Sequence, residues 1–223
     1  MERTIRVTGK GNLSVKPDTI RLIMTMEGMQ DEYEKSVEQS SRMTEEIKDL
    51  FEKLGYERES VKTLYFNINA EYESYQGRDK SWKKRFEGYK FTHQIKIEFP
   101  SDNKQLGKVL YALGHSAIRP EFRIEYTVAE PVKCKNELLA KAIQDSRQKA
   151  EVLTKAADVI LGDIVTIDYC WGEVEFVTRP MEKMMLDECC IGSCASEDRA
   201  YDMDINPDDI EVSDTVTVVW DIR

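Results

Sequence analysis

Three cysteines near the carboxyl-terminal end form the densest group of reactive side chains in the sequence. Cys189, Cys190 and Cys194 lie in one short stretch, with Met185 and several acidic residues just before them. Thiolates together with a thioether or carboxylate favour soft ions, so this group could hold zinc or copper(I). However, the C-C-x-x-x-C spacing lacks the paired C-x-x-C motifs of strong zinc sites, and adjacent cysteines fit one tetrahedral ion poorly. Two interpretations stay open: a thiol-based metal or redox sensor, and a flexible loop with incidental thiols.

Histidine, the usual general base, occurs only twice in the chain. His93 alternates with Phe91 and Ile95, which predicts a packed, hydrogen-bonded core histidine. His115 follows Gly114 at a predicted helix end, where a positive charge complements the helix dipole. Neither lies near a patterned serine or cysteine nucleophile. The sequence therefore predicts no catalytic residues and argues against a Ser-His or Cys-His hydrolase.

A glycine-containing stretch, residues 9–14, superficially resembles a phosphate-binding loop. It lacks the Gly-Lys-Ser/Thr ending and does not lead into a helix, so its amides would not converge on a phosphate. Gly9 and Gly11 instead predict a bulge or a close backbone approach within a strand. Acidic pairs such as Asp208-Asp209 lack the glycine and glutamate of a calcium loop and predict a solvated surface. No cofactor is expected apart from the soft metal considered above.

The charge balance limits the classes of partner. A formal net charge of −10 opposes binding to a phosphate backbone, which needs clustered lysine and arginine. Residues 78–85 are a basic exception with an embedded tryptophan, and we interpret them as the solvated tip of a hairpin. No long uncharged apolar run is present. We therefore expect neither a nucleic-acid partner nor a membrane partner.

The amino-terminal residues and the cysteine count together predict the compartment. The sequence enters an alternating strand pattern at once, without the apolar stretch of a secretory signal. Five cysteines are an odd number, which suits reduced thiols better than a disulfide framework. We therefore expect a cytoplasmic protein.

Hydrophobic periodicity predicts seven strands and three helices. The predicted strands are 5–15, 20–26, 64–72, 89–99, 122–128, 165–171 and 212–222, and the predicted helices are 31–54, 103–113 and one that begins at Pro131 and ends at Gly162. The order β-β-α-β-β-α-β-α-β-β predicts an α+β fold in which antiparallel sheets carry helices packed on one face.

The third helix has a stripe in which small and large apolar residues alternate. Its predicted inner face is Leu139, Ala142, Ile143, Ser146, Ala150, Leu153, Ala157 and Ile160. Because several of these side chains are small, we expect the helix to lie close to its sheet.

Residues 173–211 interrupt the regular pattern. They are acidic, rich in cysteine and methionine, and without sustained periodicity. A long irregular segment inside a compact domain is either mobile or functional. The remainder predicts a single domain over residues 1–223, with room for two structural lobes and with 173–211 as an irregular insertion.

Several local patterns resemble the SIMPL domain family, a widespread group of unknown function. They are the glycine-broken strand at residues 7–11, the Pro-Asp turn at 15–18, the Gly-Tyr step at 88–91, the alanine-rich helix at 140–150 and the closing strand at 210–220. The resemblance covers nearly all of the chain outside 173–211, and it rests on the order of the patterns.

This resemblance implies a role through assembly rather than chemistry. Some bacterial members form ring-like homo-oligomers, the name-giving animal member associates with a signalling kinase, and no catalytic residues can be carried over. The second hairpin is also rich in aromatic residues: Tyr65, Tyr72, Tyr75, Trp82, Phe86 and Tyr89. We therefore expect a non-enzymatic homo-oligomer that acts through protein contacts, with the cysteine-based sensor as the alternative.

Overall fold

The computed structural model describes residues 3–76, 80–169, 174–184 and 205–223. The elements run β1 (Thr4–Val15), β2 (Thr19–Gln30), α1 (Tyr33–Lys53), a 3-10 turn (Arg58–Ser60), β3 (Lys62–Gln76), β4 (Trp82–Pro100), α2 (Asn103–Gly114), β5 (Glu121–Thr127), α3 (Pro131–Ala156), β6 (Leu161–Tyr169), β7 (Val177–Met184) and β8 (Ile210–Ile222). The predicted α+β class is confirmed, with helices packed against antiparallel sheets. No helix in this described part combines the length and apolarity needed to cross a membrane.

One strand is additional to the predicted order. β7 lies inside residues 173–211, which the sequence predicts to be irregular, and it forms an edge of the larger sheet. A sheet neighbour supplies the backbone hydrogen bonds of a strand, so a segment without clean alternation can still pair. The cysteine-bearing residues 185–204 lie outside the described residues.

The chain divides into two compact units. The terminal unit contains Met1–Asp18, Thr127–Thr178 and Pro207–Arg223. The central unit contains Thr19–Tyr126 and Arg179–Asn206.

In the terminal unit, helix α3 packs on a three-stranded sheet of order β1-β8-β6. Its buried stripe has a spacing of four residues: Leu138, Ala142, Ser146, Ala150 and Thr154. The predicted stripe is therefore partly wrong, since Leu153 is 50% exposed and Ile160 is 71% exposed. The predicted end is also wrong, because α3 stops at Ala156 and Asp158 then adopts a left-handed backbone with φ of 55°. Aspartate tolerates that conformation better than most residues, so no glycine is required.

In the central unit, α1 and α2 lie against a five-stranded sheet of order β3-β4-β2-β5-β7. Alternate residues of the inner strands form the core with the two helices: Ile20, Leu22, Met24, Met26, Phe91, Ile95, Ile97, Phe122, Ile124, Ile47, Phe51, Leu106 and Leu113. Two predicted helix ends are confirmed. Gly55 follows α1 with φ of +91°, and the Asp102 carboxylate accepts a hydrogen bond from the Lys104 amide at 2.8 Å.

Candidate functional site

The β3–β4 hairpin is built from the longest strands of the central unit, 15 and 19 residues. Ala70 pairs with Tyr89, and Tyr72 pairs with Phe86 across a bulge that leaves Glu87 as the extra residue. Directly paired residues share a face of a sheet. The bulge therefore keeps the aromatic side chains of both strands on the face that carries the core farther along β4.

Four aromatic rings on this face form a continuous row, which we call the aromatic row: Tyr33, Tyr89, Phe86 and Tyr72. The ring centroids are 5.8 Å apart for Tyr33–Tyr89, 5.2 Å for Tyr89–Phe86 and 5.7 Å for Phe86–Tyr72, all in edge-to-face geometry. Tyr33, Phe86 and Tyr72 are 53%, 42% and 55% exposed. The apolar face of the sheet therefore extends beyond the start of α1, where the rings of the row are exposed to solvent.

Two further features add to this surface. Trp82, at the tip of the hairpin, is 74% exposed. β3 forms one edge of the sheet, with β4 as its hydrogen-bonded neighbour among the described strands. An edge strand with exposed apolar side chains is a template for association with another chain. The predicted aromatic interaction surface is therefore present as an exposed feature, whereas its partner stays a prediction.

His93 occupies the predicted core position and is 8% exposed. Its Nδ1 lies 3.0 Å from Ser40 Oγ and 3.1 Å from Thr44 Oγ1, and its Nε2 lies 2.9 Å from Thr63 Oγ1. Phe66 packs on the imidazole at a centroid distance of 5.1 Å. The prediction of a packed, hydrogen-bonded histidine is confirmed.

Burial decides whether Ser40 and His93 could act as a nucleophile and its base. Thr44 Oγ1 donates to the Ser40 carbonyl and lies against the same Nδ1 that Ser40 contacts, so the pair is enclosed by neighbouring hydroxyl groups. Ser40 is only 2% exposed, which leaves no path for a substrate to its hydroxyl. The cluster ties α1 and β3 to β4 and is structural.

Acid should weaken this cluster. Burial, and then the charge of Lys48, lowers the pKa of His93 below its usual value of about 6.5. A lowered folded-state pKa means that the contribution of His93 to stability is complete above the unfolded-state pKa and is lost as the pH falls through the folded-state value. We expect the imidazole resonance of His93 to titrate below pH 6.5 in NMR spectra, with His93→Gln identifying the resonance. A midpoint at or above about 6.5 would contradict this environment.

His115, the other histidine, lies at the end of α2 as predicted. Its Nδ1 donates to the Tyr111 carbonyl at 2.8 Å, and its ring stacks on that of Tyr111 with centroids 4.0 Å apart. This contact completes the last helical turn.

The glycines of residues 9–14 contact a helix and not a ligand. Gly9 and Gly11 are buried where β1 passes beneath α3, and the Lys10 amide between them donates to Asp145 Oδ2 at 2.6 Å. That amide is consequently occupied. The predicted close backbone approach is confirmed, and it replaces the phosphate-loop interpretation.

The cysteine cluster at Cys189, Cys190 and Cys194 lies outside the described residues, so its metal or redox role stays a prediction. Within the described ranges, no three or more His, Cys, Asp or Glu side chains are arranged to hold a metal ion. Cys134 is a half-buried thiol of the terminal unit.

Sequence reasoning missed a charged network on the sheet face that points away from α1 and α2. Glu125 is 3% exposed, and its Oε1 lies 2.8 Å from Arg179 Nε and 3.2 Å from Arg123 Nε. Its Oε2 lies 3.6 Å from Arg21, which also binds Glu98 at 2.7 Å. These residues come from four different strands, so only the strand order brings them together. In the sequence, the four residues of β2, β4 and β5 are ordinary polar positions of alternating strands, and Arg179 lies in the segment that is predicted to be irregular.

The matched residues in the comparison with known families cover almost the whole chain. A family model described as SIMPL, protein of unknown function (DUF541), matches residues 5–220. No curated protein matches the chain in sequence.

Proposed function

The chain belongs to the SIMPL family, whose function is unknown, and we propose that it is a non-enzymatic protein that self-assembles and acts through protein contacts. The observation that carries the proposal is the exposed aromatic row of the β3–β4 hairpin. Aromatic residues are enriched in the cores of protein interfaces, and a few of them commonly supply most of the binding energy.

Leaving the aromatic row in water costs free energy. Full burial of a large apolar side chain is worth about 1.5–3 kcal/mol relative to exposure. Tyr72 and Phe86 each keep about half of their surface exposed. Both are already ordered against neighbouring rings, so a partner that covers them would immobilise little additional side-chain freedom.

One depression of the terminal unit bears on whether the chain could activate a nucleophile. A depression of about 430 Å³ on the open face of the terminal sheet is lined by Lys10, Asn12, Ser14, Glu211 and Ser213, together with two apolar residues. It lacks a histidine or cysteine beside an orienting group, which is the arrangement that activates a nucleophile. His93, the most enclosed base, is already bound to hydroxyl groups in the core.

Removing the row should reduce self-association. We expect the purified chain to sediment as an oligomer at micromolar concentration. The double variant Tyr72→Ser, Phe86→Ser should associate at least roughly tenfold more weakly than the wild type. Tyr65→Ser is the matched control, because Tyr65 is 49% exposed on the same strand but pairs with Gln94 on the opposite face. Sedimentation velocity measures both variants, with circular dichroism to verify folding. A wild-type chain that stays monomeric would overturn the proposal.

A further inference from the structure

The outer edge of β3 offers a long row of backbone groups for pairing. β3 runs for 15 residues, and β4 is its hydrogen-bonded neighbour among the described strands. Alternate residues of an edge strand point their N–H and C=O groups away from the sheet, where water or another strand can bind them. Residues 63–70 contain neither a charged residue nor a proline, and the extra residue on β3 itself, Leu64, lies near its start.

The other described sheet edges are each obstructed. On β1, helix α3 occupies the edge, where Asp145 accepts a hydrogen bond from the Lys10 amide at 2.6 Å. β6 has two register shifts within nine residues and an exposed aspartate, Asp163. β7 contains Pro180, which has no amide hydrogen to donate. Bulges, charges and prolines are the devices by which proteins protect a sheet edge from pairing. Among the described edges, the middle of β3 is left without them.

β3 is also complementary to itself when a second copy pairs with it in the antiparallel direction. Directly opposite residues share a face of the sheet, so the two-fold axis must pass through a residue that lies opposite its own copy. With Asn69 on that axis, Phe66 of one copy lies opposite Tyr72 of the other, and this aromatic pair occurs twice. Both rings are about half exposed in the single copy. The pairing therefore continues the aromatic row into the second copy.

The same register keeps like charges apart. Glu71 lies opposite Asn67 of the other copy, and Glu73 lies opposite Tyr65. An axis at Glu71 would instead place glutamate against glutamate, and an axis at Tyr72 would place Glu71 against Glu73, which is unfavourable. Tyr65 meets a carboxylate in the favoured register and no ring, so Tyr65→Ser remains the milder of the aromatic substitutions.

The length of regular strand is sufficient for a specific contact. Residues 65–73 lie beyond Leu64, so they can pair regularly with a second copy. About nine antiparallel pairs supply about 8–10 hydrogen bonds, since every second pair exchanges two of them. A typical protein interface contains about ten direct hydrogen bonds. Strand pairing thus supplies the polar part of an interface, and the aromatic pairs supply its apolar part.

We propose that β3 of one copy pairs in the antiparallel direction with β3 of a second copy, with Asn69 on the two-fold axis. This inference rests on the proposed self-assembly and names the surface at which two copies meet. The contact is isologous, because both copies contribute the same strand. It joins the five-stranded sheets of the two central units into one continuous sheet.

A charge at Asn67 and its compensation at Glu71 test this register on the full chain. Asn67→Glu places a carboxylate opposite Glu71 of the other copy at two symmetric positions, and we expect self-association to weaken at least roughly tenfold. Glu71→Lys alone meets the uncharged Asn67 and should associate as the wild type does. In the double variant Asn67→Glu, Glu71→Lys, both clashes become ion pairs, so assembly should return to near the wild-type level.

The rescue reports on contact between copies, because positions 67 and 71 are about 13 Å apart along one strand. Gln148→Glu, at an exposed site on α3, adds the same charge away from β3 and should leave assembly unchanged. Sedimentation velocity measures assembly, and circular dichroism verifies folding. If the wild type assembles but Asn67→Glu does so equally well, or if the double variant stays dissociated, this pairing is overturned while self-assembly stands. A monomeric wild type overturns both.

Hydrogen exchange of the wild-type chain tests the pairing without any substitution. We expect alternate amide protons of residues 65–73 to exchange more slowly at concentrations where the chain is assembled than in dilute samples, because the second copy binds them. Equal exchange of these amides in assembled and dissociated samples would overturn the pairing.

Discussion

Substituting Gly9 with alanine is expected to lower the free energy of unfolding of the terminal unit by about 3 kcal/mol. A Cβ at this position would lie 2.5 Å from the Ser146 amide nitrogen and 2.8 Å from Ser146 Cβ, and closer still to the Ala142 carbonyl oxygen. The obstacle is helix backbone, so no side-chain rotation relieves it. α3 would have to move away from β1, which would also lengthen the bond from Ser146 Oγ to the Val7 carbonyl, already 3.3 Å.

Urea unfolding followed by far-UV circular dichroism measures this effect. The control is Lys10→Ala, between the two glycines, because the Lys10 side chain is exposed while its amide keeps the bond to Asp145. We expect that change to cost less than about 0.5 kcal/mol. Gly11→Ala should behave as Gly9→Ala does, since its Cβ would meet the Leu138 carbonyl oxygen. An unchanged unfolding midpoint for Gly9→Ala would mean that α3 does not pass β1 at backbone contact.

The second large effect is expected for Glu125→Gln, which should lower the free energy of unfolding by about 2 kcal/mol. The amide keeps the shape of the side chain but leaves Arg21, Arg123 and Arg179 around a neutral group. Removing one partner of a buried ion pair typically costs about 3–5 kcal/mol. We expect the smaller loss of about 2 kcal/mol because the side chains of these arginines are 28%, 39% and 45% exposed. Water can therefore solvate part of the uncompensated charge.

Glu98→Gln provides the comparison within the same network. Glu98 likewise binds cations, Arg21 at 2.7 Å and Lys96 at 2.8 Å. Its side chain, however, is 39% exposed, whereas that of Glu125 is 4% exposed. We expect a loss below about 1 kcal/mol, and 1 M salt should reduce it further. Equal losses at the two positions in denaturant unfolding would show that burial does not set the strength of this network.

The aromatic row of the β3–β4 hairpin continues the core of the central unit. The core face of β4 is covered by α1 only as far as Tyr33 and Tyr89, and the same alternation then continues outward through Phe86. A surface that continues a hydrophobic core beyond its covering helix is suited to a partner.

Local patterning in the sequence determines most of the helices and strands. The alternation of apolar residues located the seven predicted strands, Pro131 placed the start of α3, and Asp102 and Gly55 marked helix ends that the structure confirms. The burial of His93 followed from the same alternation. These features depend on residues that are close together in the sequence. Helix propensity and hydrophobic periodicity describe such residues, so both can be read directly from the chain.

Other features depend on residues that are distant in the sequence. The stripe of α3 shifted toward Leu138 and Thr154 because two glycines of β1, more than a hundred residues earlier, allow the helix to settle directly over that strand. β7 formed within residues 173–211 because a neighbouring strand completes its hydrogen bonds. The charges around Glu125 met only when four strands took their order.

By itself, then, the amino-acid sequence determined the α+β class, the family, and which faces of the strands and helices are apolar, since these follow from side-chain chemistry read along the chain. Only the tertiary structure decided which apolar residues are covered and which polar residues meet. Leu153 and Phe86 have the apolar character of core residues, yet both keep a large part of their surface in solvent. The reason is geometric: burial requires a second element at the right distance, and the strand order and close packing that supply it arise from contacts between distant parts of the chain.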